Sequence, residues 1–386
     1  MRPDSLSVHA GRELRSRDPL APAIYQTAVY VYEDLDDYEA VASGQTPGHL
    51  YGRNSNENVA MLESGVAALE GAEMGVATAS GMAAIHAAIL ALAPTPRPIL
   101  VQPDLYGVTL SLLRQDLAPL GYELRPVDLF DLDSVHHRFQ GAGLLVCETI
   151  SNPLCRVADL EAICSLAREA GVPVLVDNTF ATPVLCRPLE LGATASVHSV
   201  TKYLGGHSDL VAGAVVGDRA LMSDIRSRVV RMGSNLGPFE AWLAVRGLRT
   251  LALRMRRHSD NALSLAQGLA GLSGVERVHY PLLEGSPYEA VAGRLLSKGA
   301  GGMLAVDLEG GQPAVQGLLD RFQMVTFAAS LGGVETTVSY PDIASHRALS
   351  PDERLALGIT PGTVRVSTGI EDPEDILEDF RQAIGN

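Results

Sequence analysis

Residues 172–216 read VPVLVDNTFATPVLCRPLELGATASVHSVTKYLGGHSDLVAGAVV, and they hold three short apolar runs, at 172–177, 195–199 and 211–216. The first ends in Asp177-Asn178-Thr179, and the second runs into Val200-Thr201-Lys202 and the turn Gly205-Gly206-His207. Upstream lie four more such runs, at 75–79, 99–102, 122–127 and 144–148. Helical periodicity falls between several of them, at 81–92 and at 160–170, the latter stopped by Gly171. Strands that are apolar throughout must be covered on both faces, and their alternation with helices calls for crossover connections. The pattern predicts an α/β fold around a mostly parallel sheet. Ligands of such sheets bind beyond the carboxyl ends of the strands, so the residues just after each run are the candidates for chemistry.

Outward from this core, a helix is predicted at 59–70, with Val59, Leu62, Val66 and Leu69 on one face and Gly71 as its stop. The first fifty residues are rich in Pro, Tyr and Asp with little periodicity. They read as an extended arm (1–50) that would wrap a neighbouring subunit. A long helical pattern from 238 to 272 is expected to bridge to a smaller α+β domain. That domain has strand-like 302–308 and 364–368, helix-like 314–321, and a last helix opened by Pro373-Glu374-Asp375. The expected domains are the arm, a cofactor-binding domain at 51–247 and a C-terminal domain at 248–386.

The net charge of −15 leaves no broad basic surface for nucleic acid. The one basic run, 246–257, is interleaved with Leu and Met and reads as a solvated or subunit-facing helix side. Cys147, Cys155, Cys164 and Cys186 form no CxxC pair, so neither a disulfide framework nor a zinc site is expected; Cys147 and Cys164 read as buried thiols. The N-terminus lacks a signal-peptide core, and the greasiest stretch, 83–93, is too short to span a membrane. The expected compartment is the cytoplasm.

The residues after the strands form one chemical set. Lys202, between an apolar strand and a glycine turn, is placed for desolvation, which makes an amine a nucleophile able to form a Schiff base. Asp177 offers a carboxylate at a strand end. Ser80-Gly81-Met82 opens a helix whose free N–H groups suit a phosphate. Tyr51 and Arg53 offer a phenol and a guanidinium in a loop, and Arg365 inside a strand wants a carboxylate. A lysine for an aldehyde, an acid for a pyridinium, a phosphate cradle and an arginine for a substrate carboxylate are what a pyridoxal 5'-phosphate enzyme needs.

With these residues in place, the chain resembles the Cys/Met-metabolism family of pyridoxal-phosphate enzymes. The most specific stretches are SVHSVTKYLGGHSD (196–209), PFEAWLAVRGLRTLAL (238–253) and SLGGVE (330–335), and the likeness runs from SVHAG (7–11) to GIED (369–372). The resemblance implies the aspartate-aminotransferase-like fold type I, with a seven-stranded large-domain sheet. It implies Lys202 as the Schiff-base lysine and Asp177 as the partner of the pyridine nitrogen. Tyr106 would stack on the ring and assist proton transfer. Ser80, Gly81, Met82, Ser199 and Thr201 would hold the phosphate, joined by Tyr51 and Arg53 of a neighbouring subunit. Asn152, Ser330 and Arg365 would bind the substrate carboxylate. A homotetramer, built as a dimer of dimers with shared sites, is the assembly implied.

The chain departs from the family pattern at Ser55-Asn56-Glu57-Asn58, where Gly-Asn-Pro-Thr is usual. Leu50 and Ala329 stand where enzymes acting on cystathionine tend to carry acids, and Val108 where methionine γ-lyases tend to carry Cys. The reaction expected is γ-elimination from a homocysteine-, methionine- or cystathionine-type amino acid, giving 2-oxobutanoate, ammonia and a thiol. The alternatives are γ-replacement, as in cystathionine γ-synthase or an O-acylhomoserine sulfhydrylase, and an aminotransferase using the same Lys–Asp–Arg set. A nicotinamide oxidoreductase is disfavoured by the lack of GxGxxG after an early strand.

Overall fold

A computed structural model describes residues 1–11, 20–347 and 349–385. All seven predicted runs form strands of one sheet: β1 (Met74–Thr78), β2 (Ile99–Val101), β3 (Leu124–Pro126), β4 (Leu144–Glu148), β5 (Val174–Asp177), β6 (Ala195–Ser199) and β7 (Gly213–Gly217). Their order is β1-β7-β6-β5-β4-β2-β3. The strands from β6 to β3 are parallel, and β7 runs against both its neighbours, β6 and β1. β1 therefore points the same way as the parallel set, and its carboxyl end lies on the same edge.

Alternation along each strand explains why both faces are apolar. Ile99, Val101, Leu144 and Val146 join a core with the helices Gly81–Leu92 and Arg219–Met232. Leu100, Leu145 and Cys147 face the opposite way, against Leu132–Arg138 and Leu160–Glu169. All four cysteines are buried and unpaired.

A second sheet holds β8 (Val275–His279), β9 (Met303–Leu308), β10 (Thr326–Phe327), β11 (Thr337–Ser339) and β12 (Thr363–Ser367), in the order β10-β11-β12-β9-β8. Only the β10–β11 pair is parallel. The last helix, Pro373–Ile384, is capped by the Asp372 side chain and packs through Ile376, Leu377 and Phe380.

Three expectations are corrected. The long pattern at 238–272 is two helices, Pro238–Leu248 and Leu251–Leu269. The basic run is not all surface: Arg254 is buried, and its guanidinium donates to the carbonyls of Tyr203 (2.6 Å) and Gly247 (2.8 Å). It thereby ties the helix break to the Lys202 turn. Gly206 takes φ +76° there, and a Cβ on it would lie 2.2 Å from the Arg254 guanidinium, so only glycine fits. Finally, the first fifty residues, of which 12–19 lie outside the described residues, are not simply extended where they are described. Helices form at Pro3–His9 and Leu35–Ala42. The chain near residues 22–25 is anchored by Trp242 Nε1 to the Pro22 carbonyl (2.8 Å) and by Asn58, which bonds Tyr25 N and the Ala23 carbonyl. The departure at Ser55-Asn56-Glu57-Asn58 is thus a clamp on the arm, and Asn56 also caps the helix Glu57–Glu70.

Candidate active site

The carboxyl ends of β1, β4, β5 and β6 open into one cleft of about 430 Å³. Its lining includes Ser80, Gly81, Met82, Tyr106, Asn152, Asp177, Ser199, Thr201, Lys202 and Arg365. Residues from six separate segments of the sequence reading thus converge at the edge where a parallel sheet directs its ligands.

Lys202 is half-buried, and its Nζ donates to Ser330 Oγ at 3.1 Å. Burial, and then the Arg365 charge, lower its ammonium pKa to about 8, so more of the free amine is present near neutral pH than for an exposed lysine. Asp177 is fixed through one oxygen: Oδ1 accepts from Thr179 N (3.0 Å) and Thr179 Oγ1 (2.5 Å), while Thr179 Oγ1 accepts from Ser199 N (2.8 Å). Oδ2 is without a protein hydrogen bond among the described residues. Burial pushes the carboxyl pKa up, and the Thr179 bonds pull it back. A ligand N–H cation opposite Oδ2 would satisfy it and keep it ionised.

The helix Gly81–Leu92 begins at the cleft. Ser80 caps it, accepting Ala83 N in its side chain and Ala84 N in its carbonyl. The N–H groups of Gly81 and Met82 keep no protein acceptor among the described residues, as a phosphate site at a helix start requires. A Cβ on Gly81 would lie 2.9 Å from Ser199 Cβ, so the glycine lets the helix start close on the end of β6. These are the features of a phosphate cradle, and pyridoxal phosphate fits the donor set: amine, carboxylate and cradle on one wall.

Arg365, on β12, is buried with no carboxylate partner among the described residues. It donates to Asn152 Oδ1 (3.1 Å) and the Ser330 carbonyl (3.3 Å). Ser330 thus touches both Lys202 and Arg365. A guanidinium held only by neutral acceptors at a cleft wall is suited to a ligand carboxylate.

Tyr51 and Arg53 do not line this cleft. Both are exposed, and Arg53 donates to the Val230 carbonyl at 3.0 Å. Leu50 is likewise absent from the lining, whereas Val108 and Ala329 are in it, beside Leu331 and Ala344. Thr179 and Glu148 are among the lining residues to which the sequence reading gave no role. Thr179 links Asp177 to Ser199. Glu148, the last residue of β4, accepts Tyr106 N at 2.8 Å and Asn152 N at 3.1 Å. The strand-end rule that singled out Asp177 applied equally to Glu148.

Comparison with known proteins agrees with this geometry. A family model described as Cys/Met metabolism PLP-dependent enzyme matches residues 4–385. The L-methionine gamma-lyase of Pseudomonas putida is 40% identical, covering 95% of this chain and 92% of its own. The O-succinylhomoserine sulfhydrylase of Pseudomonas aeruginosa is 36% identical, covering 99% and 94%. A crystal structure of a putative O-acetylhomoserine (thiol)-lyase from Campylobacter jejuni, carrying a pyridoxyl-lysine phosphate, superimposes with a TM-score of 0.94 at 30% identity, covering all of both chains.

Proposed function

We propose a reaction for this chain from one premise: it belongs to the Cys/Met metabolism PLP-dependent enzymes. The reaction is γ-elimination from a sulfur amino acid: a thioether substrate and water give 2-oxobutanoate, ammonia and a thiol, and a thiol substrate gives hydrogen sulfide in place of the thiol. When bound, pyridoxal phosphate draws electrons from the carbon bearing the amino group, which makes the neighbouring protons acidic.

The chain's residues take the following roles in this reading. Lys202 would hold the cofactor, and its amine would carry protons at the substrate's Cα and Cβ. Its lowered pKa suits an amine that must both accept and return a proton near neutrality. Asp177 faces the ring nitrogen. Gly81 and Met82 N–H, with the Ser80, Ser199 and Thr201 hydroxyls, hold the phosphate. Arg365, Asn152 and Ser330 hold the substrate carboxylate, and the Tyr106 phenol serves the departing sulfur. Tyr51 and Arg53 complete the phosphate site of a second copy of this chain. The arm favours such an assembly, since Val29 (64%), Val31 (96%) and Leu35 (85%) are exposed in the single chain. The assembly proposed is a dimer, paired into a tetramer. Among the described residues no helix is long and apolar enough to cross a membrane.

The observation that favours elimination over a replacement that forms cystathionine is the apolar wall of Val108, Ala329, Leu331 and Ala344. Of the two carboxylates in the lining, Glu148 is held by two backbone N–H groups, and Asp177, held by Thr179 through Oδ1 alone, is assigned above to the ring nitrogen. Among the described residues the wall offers no acid for a distal ammonium, and it suits a short thioether, each buried methylene of which contributes about 0.8 kcal/mol. The test is a product assay with methionine, homocysteine, cystathionine and an O-acylhomoserine, each with and without added thiol. Release of 2-oxobutanoate from methionine or homocysteine at least as efficiently as from cystathionine supports the reading. Rapid thioether formation from the O-acylhomoserine, with little elimination, overturns it in favour of replacement.

A further inference from the structure

We propose that Glu148 is a positioning residue that couples the two halves of the site: its single carboxylate holds Tyr106, on the cofactor side, and Asn152, on the carboxylate-binding side, at a fixed separation. The proposal rests on the roles given above to Tyr106, Asn152 and Arg365.

Glu148 ends β4 in register with Asp177 at the end of β5, and both line the cleft. Oε1 accepts the N–H of Tyr106, 42 residues earlier in the chain, at 2.8 Å, and Oε2 accepts the N–H of Asn152 at 3.1 Å. Asn152 Oδ1 in turn accepts from Arg365. The anchor is itself braced. Glu148 N donates to Gln102 Oε1 (3.0 Å), and Gln102 Nε2 donates to Asp104 Oδ1 (2.8 Å), so the loop leading to Tyr106 is clipped to β4 at more than one point. On its far side the loop abuts the segment after β11. A Cβ on Gly107 would lie 1.9 Å from the Ser345 carbonyl, so the loop has no room to move outward.

The choice of side chain is informative. Glu148 is 7% exposed, forms no ion pair among the described residues and lies beside a second carboxylate. Burial, and then Asp177, raise its pKa, so a carboxylate is costly to keep there, and the Tyr106 and Asn152 N–H groups pull it back toward the ionised form. What a carboxylate offers and an amide does not is two acceptor atoms without a donor. Two converging N–H groups require that. In Glu148→Gln one N–H must face an NH₂, and either Tyr106 or Asn152 with Arg365 must shift. Glu148→Asp keeps both acceptors but is one methylene short of spanning the two.

The test uses holoenzyme of wild type, Glu148→Gln and Glu148→Asp. Affinity for L-alanine, which carries a carboxylate but no leaving group, is compared with that for ethylamine, which lacks the carboxylate, through the change in cofactor absorbance. Visible circular dichroism of the cofactor band reports the ring's surroundings. In Glu148→Gln the L-alanine-to-ethylamine affinity ratio should fall about tenfold or more, the loss of a well-placed charged hydrogen bond, and the dichroic band should change. Glu148→Asp should fall between Gln and wild type. If Glu148→Gln does not fold, Glu148→Asp decides alone. An unchanged ratio and band in a folded variant, or equal losses for both ligands with the band unchanged, overturns the coupling. A wild type with no cofactor band refutes the cofactor assignment and the coupling together, whereas a normal wild type with insensitive variants refutes the coupling alone.

Discussion

Replacing Arg365 with Met separates a binding role from a structural one, because the structure predicts opposite consequences for activity and stability. Arg365 is 5% exposed, and its hydrogen-bond partners among the described residues are neutral oxygens, Asn152 Oδ1 and the Ser330 carbonyl. Burial lowers its pKa, as expected for a guanidinium that lacks a directly paired counter-charge among the described residues, Glu148 nearby offsetting this only in part. A substrate carboxylate would supply that charge. Hydrogen bonds between charged groups contribute about 1.5–3 kcal/mol each, so losing a two-point hold costs about 3–5 kcal/mol, or about 10²- to 10⁴-fold in kcat/KM. In the free enzyme the account reverses. Two acceptors lose a donor at about 1 kcal/mol each, against relief of several kcal/mol from an uncompensated buried cation. The melting temperature of Arg365→Met should therefore not fall by more than about 3 °C. Steady-state kinetics and calorimetry on the same preparation decide the matter. A large drop in melting temperature, or a loss in kcat/KM under about tenfold, would refute the carboxylate role.

Three further outcomes are expected. The chain has two lysines, Lys202 and Lys298, so borohydride reduction of the yellow holoenzyme should place all cofactor label on the peptide holding Lys202; label on Lys298 would refute the assignment. Because the folded Lys202 pKa is depressed from 10.5 to about 8, the unfolded chain binds more protons between those values. Cofactor-free enzyme should gain stability as pH rises from about 8 to 10.5, and denaturant titrations of Lys202→Met should lack that gain. Gly81→Ala places a Cβ 2.9 Å from Ser199 Cβ, and the resulting shift of the helix start should weaken cofactor binding by about 5- to 100-fold, read by equilibrium dialysis, for a strain of about 1–3 kcal/mol.

Much of this molecule is local in origin. Apolar runs of four to six residues, punctuated by Gly, Asp and Ser, were enough to place all seven strands of the large sheet and to point at Asp177, Ser80 and Lys202. Each of those residues is defined by the strand or helix it adjoins. The helix at 160–170 and the one opening at Pro373 were equally plain, because caps and periodicity lie within one segment. What only the tertiary structure decided is which distant groups meet. Arg254 looks like its solvated neighbours in the sequence, yet it is buried, because its acceptors are carbonyls of Tyr203, 51 residues away, and of Gly247. Glu148 ends a strand unremarked until the strand order brings the Tyr106 and Asn152 N–H groups to its two oxygens. Arg365 reaches the cleft from the second sheet, 213 residues from Asn152. Propensity and patterning act between neighbours along the chain. Hydrogen bonds between buried polar groups are set by the order in which strands lie side by side, and that order follows from packing the whole sheet.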